Sequence, residues 1–342
     1  MPGSFKQGML LEEEQVKVYS SVMDENKWYN PIEQLKPGIH HLMNHLSSGL
    51  ELELQQEINN TSIQFVYDNS LLPIKTPKGE LKNHRILLQD THMSFLWCFS
   101  YITVALNSMY YQKAKMNTDI VVFNDLPDFE KVDLTLNWAR SLKQDISPWP
   151  ENAGRPDVPD VWTEGAPNLY QACVAYLLFH EIGHVVMHQH LLDLATRRMN
   201  RFYELTPEDK KQIYDAEVEA DHFALNCLMG NSKREDVRMV KYLGAVLAQL
   251  SNFYMLDTPD TRGGTHPDHD IRLRAIIQHA DLATEANQIQ LNAHLCVGLQ
   301  LFFRLTGKEF IQTGGVSIPF KDFEELQKYL FGLIDQMKKS AP

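Results

Sequence analysis

APNLYQACVAYLLFHEIGHVVMHQHLL, residues 166–192, is the stretch on which the reading of this chain turns. After Pro167 it holds no further proline, and apolar residues continue on both sides of one polar group, His180-Glu181-Ile182-Gly183-His184. The pattern predicts a long core helix. Two histidines four apart differ by only about 40° around a helix of 3.6 residues per turn, so both imidazoles leave one face about a turn apart. That spacing lets both bind one tetrahedral Zn²⁺ through Zn–N bonds of about 2.0–2.1 Å. Glu181 follows the first histidine directly, beside the metal's open position, where its carboxylate can take a proton from a metal-activated water. Composition alone predicts about 0.04 occurrences of HExxH in such a chain. The plain alternative is a helix with exposed histidines. The apolar flanks VAYLLF and VVM argue against it, because a polar stripe on a core helix needs a partner.

A third ligand is expected from another helix. In YDAEVEADHFALNCL, Glu217 and Asp221 form an ExxxD pair on one helical face, 33 residues beyond His184. Glu217 is the candidate ligand, with Glu219 the alternative and an exposed ion-pairing role the plain reading. Asp221 is expected to hydrogen-bond the far nitrogen of a ligand histidine and so fix its tautomer. His188, His190 and His222 lie near in sequence and read as solvated or satisfied histidines. The next element is Thr265-His266-Pro267, with Arg272 six residues after the histidine. Pro267 is predicted to start a helix, which holds His266 just before it. There His266 is a candidate donor to the oxyanion of the attacked carbonyl, and Arg272 is expected to orient it or to pair with the acids of the zinc shell.

Length and composition bound the rest. The 342 residues suggest about two domains' worth of chain, and 44% hydrophobic content is enough for a packed core. Acids outnumber bases 44 to 32, for a formal charge of -12, so the basic footprint of a nucleic-acid binder is missing. Cys98, Cys173, Cys227 and Cys296 lie far apart with no CxxC pair, and read as buried thiols in a reducing compartment. The N-terminus lacks the basic and apolar regions of a signal peptide. The uncharged helix at 93–111 is nearly long enough to span a bilayer. Its Ser94, Ser100, Thr103, Asn107 and Ser108 give a mixed face, so a buried helix is expected, with no stable membrane insertion and a cytoplasmic location.

The expected architecture is α+β and zincin-like, a small β layer packed on a predominantly helical region that carries the HExxH helix. Residues 1–58 read as a mostly helical N-terminal extension. Residues 59–145 hold the β layer and helices of a peptidase domain, with SIQFVYD, HRILLQD and DIVVFND (119–125) as strand candidates. SIQFVYD and HRILLQD are separated by a turn-rich connector, and a hairpin or small sheet is the simplest arrangement. Residues 146–310 are the zinc-binding helical part. Its helices are read at 233–257, 267–282 and 287–306, together with one opened by Thr206-Pro207 and closed at Gly230. Residues 311–342 are the C-terminal segment, with a helix read at 320–339.

HEIGHVVMH, EVEADHFAL and THPDHDIRL, in that order, resemble the Glu-zincin peptidases. The chain is most similar to the phage-exclusion peptidase family (Lit-type), over roughly residues 60–310. The resemblance includes the uncharged helix at 93–111, the LNWAR segment at 136–140 and the Pro148-Trp149-Pro150 turn. It implies a bacterial zinc endopeptidase of a prophage or defence locus, with His180, His184 and Glu217 as zinc ligands and Glu181 as general base. His266 and Arg272 fall on the family's remaining polar elements. It further implies a host protein substrate, a translation elongation factor such as elongation factor Tu, made cleavable by a phage peptide.

The expected chemistry is metal-assisted amide hydrolysis, in which Glu181 takes a proton from water and returns it to the leaving amine. HRILLQD is the candidate edge strand for an extended substrate. Two rival readings stand beside this one. A regulatory peptidase of the ImmA/IrrE type would cleave a transcription repressor. A zinc-stabilised interaction protein would use the metal only to hold helices together, but such a site normally closes its fourth position with a protein ligand and has no need of a base.

Overall fold

A computed structural model describes residues 30–45, 50, 52–69, 73–114, 123–126, 128–144, 147–198, 204–263, 266–308 and 320–340. Residues 1–29, half of the expected N-terminal extension, lie outside the described residues, as do 46–49 and 51. Two short helices open the described part, α1 (Lys36–His45) and α2 (Leu52–Thr61). Three strands follow, β1 (Gln64–Asp68), β2 (Lys78–Glu80) and β3 (Arg85–Gln89). All other labelled elements are helices, and the chain is mainly helical with one small sheet, as an α+β reading requires.

The strand order is β1-β3-β2. Of the two arrangements expected, SIQFVYD and HRILLQD take the small sheet and not the hairpin, because β1 and β3 pair in parallel, and the partner antiparallel to β3 is β2 from the turn-rich connector. HRILLQD is also not an edge, since β3 is the central strand, with Ile86 and Leu88 buried. A strand with ladder partners on both sides has no free edge for a substrate; the edge strands among the described residues are β1 and β2.

Helix α3 (Asp90–Ala114) is the uncharged segment, and it lies in the protein core. Several of its polar side chains bond within the protein. Ser94, Ser100 and Asn107 donate to the carbonyls of Asp90, Leu96 and Thr103 one turn back. Trp97 Nε1 donates to Gly154 O at 3.0 Å. No helix among the described residues is long and apolar enough to cross a membrane. Of the strand candidate at 119–125, residues 119–122 lie outside the described residues. Phe123–Asp125 form a 3₁₀ turn before α4 (Phe129–Ser141), so the described part is not a strand.

The proline- and tryptophan-rich loop after α4 is tied to the helices beneath it. Gly154 N donates to Thr135 Oγ1, and Asp160 accepts from both Tyr101 Oη and Lys131 Nζ. It leads into α5 (Ala166–Met187), the helix with which the sequence reading began. Helix α5 packs most extensively against α7 (Pro207–Met229) and α8 (Glu235–Tyr254), with α3 on another side and β2 across its C-terminal half. The short α6 (Leu192–Arg198) joins α5 to α7. Helix α7 starts with a reciprocal capping box between Thr206 and Asp209 and ends at Gly230, whose φ is 48°.

Helix α9 (His269–Gln278) begins two residues later than Pro267 suggested. Asp268 takes the N-cap position and ties the preceding loop by accepting from Gly263 N, and His269 N donates to Thr261 O. The last helices are α10 (Glu285–Leu305) and α11 (Phe323–Ser340), which pack on one another.

Candidate metal centre and active site

Helices α5 and α7, strand β2 and the segment that runs from His266 into α9 build the site. On α5 the i, i+4 spacing puts His180 and His184 on one face, with ring centroids 4.7 Å apart and planes almost perpendicular. Their Nε2 atoms lie 3.2 Å apart. Helix α7 can approach closely because its buried face carries Ala216, Ala220 and Ala224, one small residue per turn. From that face Glu217 spans both imidazoles, with Oε2 3.4 Å from His180 Nε2 and Oε1 3.4 Å from His184 Nε2. One donor atom from each of the three residues falls within a 4.8 Å set. Two imidazole nitrogens and a carboxylate that converge in this way suit a divalent ion of the zinc type, with room left for a non-protein ligand.

The surroundings orient these donors. Asp221, one turn beyond Glu217, lies 3.0 Å from His180 Nδ1 through Oδ1. Its carboxylate is held by a two-point contact from Arg272, Nε to Oδ2 and Nη2 to Oδ1, each 2.6 Å. Tyr176 Oη donates to the same Oδ1 at 3.1 Å, and Gln249 Nε2 reaches both Tyr176 Oη and Asp221. Arg272 Nη1 also lies 3.8 Å from Glu217 Oε2, so it pairs with the acids and has no contact with His266. His266 places Nδ1 3.0 Å from Glu217 Oε1 and is partly open to the cleft.

Electrostatics follow from this packing. Burial works against ionisation of Glu217, but the three histidines around it outweigh that and hold its carboxyl far below the usual range. Burial likewise opposes charge on Asp221, and Arg272 and His180 overcome it, keeping the group ionised. His180 is the reverse case. Burial disfavours its charged form, yet the Asp221 and Glu217 carboxylates raise its pKa from 6.5 to about 10 when no metal competes.

Glu181 faces the same cleft, which encloses about 800 Å³. Gly79 N, on β2, donates to Glu181 Oε2 at 2.5 Å. A Cβ at residue 79 would sit 3.2 Å from both Oε2 and the carbonyl oxygen of Glu181, so glycine is what lets the strand lie this close to α5. One oxygen of Glu181 is thereby fixed against β2. Apolar side chains, Leu177, Leu191, Ile213 and Met255 among them, line the cleft beside these polar groups.

A family model described as Peptidase U49 matches residues 86–293, more than half of the chain and the whole of the site just described except β2. The chain belongs to the peptidase U49 family. It is a peptidase family, and the phage-exclusion resemblance carried by the three motifs leads to the same place. A curated relative, the cell death peptidase of Escherichia coli strain K12, is 26% identical over 164 residues. That alignment covers 46% of this chain and 50% of the relative, so the chain matches about half of that relative's length. No solved structure matches the chain.

The seven residues expected from the motifs lie together, His180, His184, Glu217, Asp221, Glu181, His266 and Arg272, while Thr265 lies outside the described residues. Glu219 stays outside the triad. Its side chain is 64% exposed, against 12% for Glu217, and it faces His188. Sequence reasoning missed Tyr176, His188, Gln249 and Gly79. The first two carried a signal, since Tyr176, His180, His184 and His188 repeat every four residues along one face of α5. Gln249 and Gly79 come from distant segments and carried none.

Proposed function

We propose that this U49 peptidase is a zinc-dependent endopeptidase of phage-exclusion type, with a zincin-like arrangement of the HExxH helix against a small sheet. The observation that carries the reading is the convergence of His180, His184 and Glu217, with Glu181 turned to the same cleft but outside the triad. A purely structural site would not set a carboxylate apart in this way. Zinc, when bound, supplies a Lewis acid that acidifies a water and polarises the scissile carbonyl.

The protein's own groups do the rest. Glu181, anchored through Oε2 by Gly79, uses its other oxygen to accept the water's proton and passes that proton to the leaving amine. Nδ1 of His266 lies beside Glu217 Oε1, so Nε2 is the nitrogen this ring can offer to the developing oxyanion. Arg272 keeps Asp221 ionised, and Asp221 holds the proton on His180 Nδ1, which leaves Nε2 as a lone-pair donor. An extended substrate lies along β2, whose residues Lys78 and Gly79 line the cleft, with the Gly79 N–H kept by Glu181.

On this reading the substrate is a host protein, a translation elongation factor of the Tu type presented with a phage peptide, and the enzyme acts in the cytoplasm. The domain division is a peptidase unit of 59–145 and 146–310 flanked by 1–58 and 311–342. Membership in U49 favours it over a repressor-cleaving regulatory peptidase or an interaction protein. Proteomics of cells expressing the parent or Glu181→Gln tests it. The parent is expected to generate a new cleavage product that Glu181→Gln does not, while the variant keeps its metal. Equal cleavage by both would refute the role of Glu181.

A further inference from the structure

His180 is steered by Asp221, but His184 meets a different neighbour. Its Nε2 faces the triad, and its Nδ1 lies 2.9 Å from Nδ1 of His188. His188 is almost wholly buried, at the C-cap of α5, where its N–H donates to His184 O and its own carbonyl accepts from Leu191 N. Its Nε2 lies 3.1 Å from Glu219 Oε2 on α7. The next residue, Gln189, pins this end of α5 by donating to Leu81 O and Val185 O.

We infer that His188, backed by Glu219, is the positioning residue that fixes the tautomer and ring plane of His184. The inference rests on the metallopeptidase reading and deepens it. Ligation through Nε2 requires His184 to carry its proton on Nδ1. That N–H can donate only to a nitrogen lone pair at His188 Nδ1, which puts the His188 proton on Nε2. There the proton is donated to the Glu219 carboxylate, so every donor in the row meets an acceptor. Each ligand histidine thus has its own support. His180 leans directly on a buried carboxylate clamped by arginine, and His184 leans on a neutral imidazole tied to an exposed one. Glu219 is two residues from Glu217 on α7, so the row also links the rim of α5 to the helix that supplies the third donor. Loss of such an outer hydrogen bond typically weakens metal binding by about 10–100-fold.

The test measures Zn²⁺ affinity of the full chain by chelator competition, with Co²⁺ absorption as a probe of ligand geometry. His188→Leu removes the acceptor and is expected to weaken Zn²⁺ binding by about 10–100-fold and to alter the Co²⁺ spectrum. His188→Asn, which can turn its carbonyl oxygen toward His184 Nδ1, is expected to recover most of the loss, a rescue that a packing role would not produce. Glu219→Ala sits at an exposed position and decides the matter if His188→Leu does not fold, with a several-fold loss expected. Parent-like Zn²⁺ affinity in folded His188→Leu or in Glu219→Ala, or an Asn variant no better than Leu, would overturn the inference. A parent chain that binds neither ion would overturn the metallopeptidase reading itself.

Discussion

Glu217 and Glu219 are two residues apart on one helix, and side-chain direction separates their fates. A helix turns about 200° over two residues, so one carboxylate enters the cleft between α5 and α7 while the other stays at the rim. The same spacing rule brings Asp221 back under His180. His180 then gives a pH signature in the metal-free protein. Its folded pKa is raised from 6.5 to about 10, so its protonated form stabilises fully below 6.5 and the contribution is lost as pH climbs through 10. Urea unfolding in chelator is expected to show a midpoint that falls between pH 6.5 and pH 10. With Zn²⁺ present that decline should be much reduced, because a ligating imidazole has already given up the proton. A midpoint that rises over this range without metal would contradict the charge assignment. At this scale the sequence was legible at the His180/His184 and Glu217/Asp221 pairs, whose i, i+4 spacing puts each pair on one face, while Tyr176 and His188 on the same row went unread. It was silent on Gln249 and Gly79, whose contacts depend on segments packed from far away in the chain.

Helices declared themselves through their ends and their apolar faces. Thr206-Pro207 opens α7 as expected, and α8, α10 and α11 begin and end within a few residues of where capping and periodicity placed them. The sheet did not declare itself. Strand β2 is three residues, Lys-Gly-Glu, with no β-branched side chain, and its identity comes from pairing with β3 and lying against α5. The α5–α8 contact carries its own prediction. A Cβ on Gly244 would come 2.4 Å from Ala172 Cβ and 2.7 Å from its carbonyl carbon, which is backbone and cannot rotate away. Gly244→Ala gains about 1 kcal/mol in helix propensity but incurs overpacking of up to about 3 kcal/mol, a net loss of about 2 kcal/mol. Gly332→Ala in α11 has no atom within 4 Å of the new Cβ and is expected to gain about 0.5–1 kcal/mol. Denaturant midpoints that move both variants in one direction would contradict this packing.

Across the whole molecule one continuous apolar core runs from α3 through α5 and α8 to α10, and α11 closes it with Phe323, Leu326, Leu330 and Ile334. The C-terminal helix also reaches back to the site-bearing segment. Lys338 contacts Asp268 and Asp270, and Asp270, nearly fully buried, accepts from Thr261 Oγ1 as well. Those residues fix the turn between His266 and Arg272. Lys338→Met is expected to lower stability by about 1–3 kcal/mol, because a buried carboxylate loses a partner while Thr261 and Arg274 remain. An unchanged unfolding midpoint would show that α11 does not brace this turn. No local pattern encoded the link, since Lys338 and Asp270 lie 68 residues apart.

The most direct measurement is the metal content of the purified full chain by plasma mass spectrometry, beside Glu181→Gln and Glu217→Ala. One zinc per chain is expected in the parent and in Glu181→Gln, and little or none in Glu217→Ala. A parent without stoichiometric metal, or a Glu217→Ala variant that keeps it in full, would contradict the account.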